Sequence, residues 1–135
     1  MDLLKILLYA HSGLRWLIVL AALLALAIFG YGWLAKKSFP KLARILPAAY
    51  SGLLDTQTLL GFIYFFWTGL AGNGFPRYRI EHLGMMFLAA ILGHLPSRWK
   101  KTEDGLRYRN IFFVVIGTLI LIYLGVAVLP GGWNR

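Results

Sequence analysis

Long apolar runs alternate with short basic segments along this chain, and there are four such runs. The first extends from about Leu4 to Ala35 and stops at Lys36-Lys37-Ser38-Phe39-Pro40. The second starts near Pro47, a residue suited to a first helical turn, and runs to about Leu70. The third starts near Pro76 and ends before Pro96, and the fourth runs from about Tyr108 to Leu129, closed by Pro130-Gly131-Gly132. Each holds about 20 residues or more, enough at about 1.5 Å per residue to cross a hydrocarbon core of about 30 Å. Short connections make sequence neighbours antiparallel. The pattern therefore predicts an all-α fold, an up-down four-helix integral membrane bundle in a single domain.

Composition agrees with that class. Of 135 residues 59% are hydrophobic and 14% charged, and the mean hydropathy is +0.69, well above an ordinary soluble domain. No room is expected for a separate soluble domain. Asp2 and a lone Lys5 make a poor basic leader, and the run behind them is too long for a cleaved signal peptide. The first run is thus expected to be a retained transmembrane helix. Cysteine is absent, which excludes disulfides, thiolate metal sites and thiol chemistry.

The net charge of +9 does not point to nucleic acid, because the cations sit in short loops between apolar runs, where they set topology and meet anionic lipid. Lys36, Lys37, Lys41 and Arg44 lie in the first loop. Arg98, Lys100, Lys101, Arg107 and Arg109 lie in the third, against Glu103 and Asp104. Only Lys5, Arg77, Arg79 and Arg135 lie on the other side. The expectation is a multi-pass protein of a bacterial inner (plasma) membrane, with loops 36–46 and 97–107 cytoplasmic and both termini outside.

The polar residues then fall into depth layers. His11 lies in the early turns of the first helix, with Arg15 a turn deeper on the same face; ionisable groups at such depth are costly and functional by default. Glu81 and His82 open the third helix from the same outer side. In an up-down bundle the first and third helices are diagonal, so His11 and His82 are expected to meet across the core. Two imidazoles from facing helices suit the axial positions of haem b iron. Arg15, Arg77 and Arg79 near the same end suit its propionates, and Glu81 suits a partner for the second nitrogen of an imidazole or for Arg15. Trp16, Met85, Met86, Phe87, Ala89 and Ala90 would wall the macrocycle. Deeper lies Asp55, close to mid-membrane, followed by Gln57, Gly61, Tyr64 and Thr68 on one semi-polar face, with His94 near the inner end of the third helix. Asp55, Gln57, Tyr64 and His94 suit a proton path or a quinone headgroup. Hydrogen bonding that merely fixes the helices is the plain alternative.

Three motifs, His11-Ser12-Gly13-Leu14-Arg15-Trp16, Gln57-Thr58-Leu59-Leu60-Gly61 and Glu81-His82-Leu83-Gly84-Met85-Met86, resemble those of small bacterial four-helix membrane proteins labelled cytochrome b-like. The resemblance spans most of the chain. It implies b-type haem held through His11 and His82, with a role in electron transport as a small subunit of a respiratory or photosynthetic membrane complex rather than as an enzyme alone. Two readings of other classes stay open. One is a cofactor-free structural or anchor subunit. The other is a copper-handling membrane protein using His11, His82 and Met85 or Met86.

Overall fold

The computed structural model describes residues 2–134; Arg135, one of the four outer cations counted above, lies outside them. Four helices follow one another: α1 (Leu3–Leu34), α2 (Lys41–Thr68), α3 (Arg77–Leu92) and α4 (Asp104–Ala127). No strand is present among the described residues. Helix α1 packs on α2 and α4, and α3 packs on the same two, so α1 and α3 are diagonal.

Local chemistry sets the ends. The Asp2 carboxylate accepts the Lys5 backbone N–H at 2.8 Å and caps α1. At the other end Lys36 turns the chain with φ of 54°. Helix α2 starts at Lys41, directly after Pro40, rather than near Pro47. Leu42, Ala43, Ile45 and Leu46 continue the apolar spacing upstream. Pro47 sits inside the helix, where its missing N–H gives up one ladder bond instead of marking a start. After Thr68 the chain widens into a π-helical turn, Gly69–Asn73. Gly72 and Gly74, with φ of 123° and 68°, then reverse it into α3. Helix α3 is short; beyond Gly93 and His94 a 3-10 turn, Leu95–Trp99, leads towards α4.

The end of the bundle that carries the 36–40 loop is tied down by α4. The Phe39 N–H donates to Asp104 Oδ2 at 3.1 Å, and the Tyr108 hydroxyl donates to the Ser38 carbonyl at 2.8 Å. Phe29, Phe39 and Tyr108 stack beneath that tie, and the Arg107 guanidinium lies 4.0 Å from the Phe39 ring centroid. Small residues bring the helices close: Ala22, Ala25, Ala89 and Ala90 are buried. Thr118, fully buried on α4, donates to the Val115 carbonyl and accepts the Tyr50 hydroxyl of α2 at 2.7 Å.

The outside of the bundle is apolar. Large hydrophobic side chains are exposed on all four helices, among them Leu24, Leu59, Phe87 and Ile120. Two helices, α1 and α4, are long and apolar enough to cross a membrane. Helix α2 carries Lys41, Arg44, Asp55 and Gln57 among its apolar residues, and α3 has only 16 residues and opens on Arg77, Arg79 and Glu81. Neither meets that measure, for those two reasons.

Candidate functional site

A chamber of about 630 Å³ opens within the bundle between the diagonal helices. It falls within the range of about 300–1,000 Å³ usual for cofactor and small-molecule sites. His11 and Arg15 of α1, Gln57 and Tyr64 of α2, and Arg79 and His82 of α3 supply its polar lining; Met86, Ala89, Ile122 and Val126 contribute apolar walls.

The two imidazoles meet across it. Their ring centroids are 6.3 Å apart and their planes are inclined at 80°. His82 Nδ1 lies 2.7 Å from the Gly125 carbonyl of α4. A carbonyl only accepts, so Nδ1 carries the proton there and Nε2 keeps its lone pair. This is the backbone restraint that metal-binding histidines usually have. His11 packs against Gly61, where an added Cβ would stand 3.0 Å from Cε1 of the ring; the absent side chain is what lets the imidazole lie flat on α2. The Gln57 amide nitrogen donates to the His11 backbone carbonyl at 2.8 Å and holds that turn of α1 to α2. His11 Nδ1 and Gln57 Oε1 are both buried with no hydrogen-bond partner among the described residues. Such groups normally find one, and both belong to residues that line the chamber.

The basic residues separate into three roles. Arg15 lines the chamber, its guanidinium carbon 5.1 Å from the Trp16 ring centroid and 5.4 Å from that of Trp133, which folds back from the C-terminal 3-10 turn. Arg79 also lines the chamber. Its donors are spent on the Gly74 and Phe65 carbonyls and the Thr68 hydroxyl, so it chiefly braces the 69–75 turn. Arg77 is 91% exposed and forks to Glu81 one turn on, at 2.6 Å, outside the chamber. Glu81 is therefore engaged with Arg77, not with an imidazole or with Arg15. Of the expected wall, Met86 and Ala89 line the space. Trp16 and Phe87 point outward, Trp16 onto Trp133 and Phe87 onto Phe62.

The deeper polar layer divides. Gln57, Gly61, Tyr64 and Thr68 face the chamber. Asp55 instead meets His94 of the α3 end: His94 Nε2 lies 3.0 and 2.9 Å from the two Asp55 carboxylate oxygens. The Ser51 hydroxyl lies 3.1 Å from His94 Nδ1. Ser12, Thr58, Asn73 and Tyr78 also line the chamber, and the Gly125 carbonyl anchors His82. Sequence reasoning gave no weight to any of these. Ser12 adjoins His11 and was within reach of it, but a glycine carbonyl leaves no trace in a side-chain pattern. Among the described residues no group of three or more His, Asp or Glu side chains converges to hold a metal ion.

No protein-family profile, curated protein or solved structure matches the chain.

Proposed function

We propose that all four helices cross a lipid bilayer and that the chamber holds one haem b, with His11 and His82 as axial ligands, for one-electron transfer. The apolar exterior of α2 and α3 supports the first part. Leu59, Ile63 and Phe66 on α2, and Ile80, Leu88 and Ile91 on α3, are exposed as fully as their counterparts on α1 and α4. Loops 36–46 and 97–107, which carry most of the cations, would then be cytoplasmic and both termini outside. The role that follows is that of a small electron-transfer subunit of a larger membrane complex.

One observation carries the haem assignment: the 6.3 Å between imidazole centroids. Rings this close would allow one nitrogen of each to hold the same iron. The remaining features fit the same occupant. Gly125 holds His82 in the tautomer whose Nε2 carries the lone pair that a metal ligand needs. Gly61 leaves the space that His11 fills. The cation for a propionate comes from Arg15 on the chamber wall, with Arg79 braced beside it; Arg77 lies too far out to contribute. Bound there, haem supplies a reversible ferric–ferrous couple. The chain's own residues would hold and orient the ligands, with Met86, Ile122 and Val126 as apolar wall.

The test is the visible spectrum of protein purified from haem-replete membranes. A reduced-minus-oxidised b-type signal is expected, lost in both His11→Ala and His82→Ala. A signal that survives both substitutions overturns the ligand assignment. Its absence from the wild type overturns the cofactor and leaves an anchoring subunit; stoichiometric copper in that preparation would instead select metal handling. Resistance to alkaline carbonate extraction tests the four-span arrangement separately.

A further inference from the structure

A second constellation, Ser51, Asp55 and His94, lies outside the chamber and takes no part in holding the histidine pair. Asp55 stands near the middle of the 28-residue α2, about 20 Å from either end at about 1.5 Å per residue. Its side chain is 49% exposed and that of His94 is 59% exposed, on the outer seam between α2 and α3. Under the four-span reading, on which this inference rests, that seam faces lipid near mid-bilayer. Ionisable groups are expensive there and persist where they bind or relay something.

The hydrogen-bond inventory defines what they lack. His94 Nε2–H is directed at the Asp55 carboxylate, and the Ser51 hydroxyl lies against the same ring, 3.1 Å from Nδ1 and 3.2 Å from Nε2. The cluster's donors are thus committed. A carboxylate has about four acceptor positions, and one imidazole N–H fills only part of them. The complementary ligand brings hydroxyl donors. It also reaches this depth through lipid, so it carries an apolar body. Beside the cluster, Gly52 presents no side chain, and a Cβ there would meet nothing within 4 Å. Towards the outer end the seam continues as an apolar surface, with Leu59 and Ile91 exposed and Phe62 packed edge-on to Phe87 at 5.9 Å. Aromatic edges and aliphatic side chains suit a flat ring with a hydrocarbon tail.

We propose that the Asp55–His94–Ser51 cluster is the headgroup site of a membrane-soluble hydroquinone, whose hydroxyl donates to the Asp55 carboxylate while its ring and tail lie along Leu59, Phe87 and Ile91. His94 holds the carboxylate in place and Ser51 fixes the imidazole. Binding makes and breaks no covalent bond. A partner helix or a plain interhelical tie would use the same residues without selecting a phenolic ligand.

The chain has three histidines, so nitrogen-15 histidine NMR of the full-length protein in lipid nanodiscs resolves the site directly. Titration with duroquinol is expected to shift the His94 resonances saturably and leave those of His11 and His82 in place. Asp55→Asn, which keeps the shape and removes the charged acceptor, is expected to weaken binding about tenfold or more. Leu59→Trp closes the seam without touching the Asp55–His94 bond and should weaken binding as well, which keeps the test decisive if Asp55→Asn folds poorly. Equal affinity in both variants, shifts confined to His11 and His82, or no saturable shift at all would each overturn the proposal. Because the readout needs no haem, failure here is separable from failure of the cofactor assignment. Incorporation into the nanodisc reports on the membrane reading independently.

Discussion

The approach of α1 to α4 can be broken with a single methyl group. A Cβ added at Gly32 would stand 2.7 Å from Cδ1 of Tyr108 and nearer still to Cε1 and Cζ. Ordinary contact begins at 3.4 Å, so the shortfall at the most distant of these three atoms is already 0.7 Å. The ring has nowhere to go. Tyr108 is 3% exposed, its hydroxyl is bonded to Ser38, and Phe29 and Phe39 pack against it. Gly32→Ala must therefore part the helices or expel the ring and break the Ser38 bond. Overpacking costs about 1–3 kcal/mol and the lost hydrogen bond about 1 kcal/mol more, less about 1 kcal/mol gained in helix propensity, which gives about 1–3 kcal/mol in all. Unfolding in mixed micelles, followed by circular dichroism as dodecyl sulfate is raised, measures it. Gly13→Ala and Gly84→Ala are the controls. Nothing lies within 4 Å of a Cβ at either position, and helix propensity alone should add up to about 1 kcal/mol of stability. Tyr108→Ala in the Gly32→Ala background should recover about 1 kcal/mol or more of coupling. A Gly32→Ala protein within about 0.5 kcal/mol of wild type would refute the packing argument, since ordinary surface changes fall in that range.

Two further outcomes follow from hydrogen bonding. Tyr50→Phe leaves Thr118 still bonded to the Val115 carbonyl and should cost about 1 kcal/mol, whereas Thr118→Val strands the buried Tyr50 hydroxyl and should cost about 1–3 kcal/mol in the same assay; the reverse order would sink the donor assignment. Arg79→Ala removes the group that bonds Phe65, Thr68 and Gly74, so limited proteolysis should cut the 69–76 turn at least several-fold faster, with Arg79→Lys restoring only part of the protection.

The four helices were legible because each apolar run ended on a charged or proline-rich break. The start of α2 was not, because Pro47 looks like a first-turn residue. Only the continuation of the apolar pattern through Leu42 to Leu46 reveals that the helix has already begun. Matched depth brought His11 and His82 onto one level before any geometry was known, and the rings do adjoin. Side-chain direction was the harder part. Residues two apart on a helix point some 200° apart, so Asp55 turns to the outer seam while Gln57 turns inward, and the proton or quinone set that joined them with Tyr64 and His94 is divided. Arg77 and Arg79 show the same thing on α3, one forking to Glu81 in the open and the other bracing the turn.

The distribution of polarity has a thermodynamic consequence. This bundle keeps Ser51, Thr68 and Thr118 inside and large hydrocarbon side chains outside. In water, unfolding exposes apolar surface, and the resulting heat-capacity rise bends the stability curve into a dome. Within a bilayer the outward Leu, Ile and Phe side chains touch hydrocarbon before and after the helices separate. Separating the helices then uncovers the buried core, Phe29, Leu54, Ile111 and Ile122 with the small and hydroxyl residues beside them, to lipid and not to water. The heat-capacity change of helix separation should accordingly be small and the stability nearly linear in temperature. Cooling should tighten the bundle steadily, with no cold-denaturation limb.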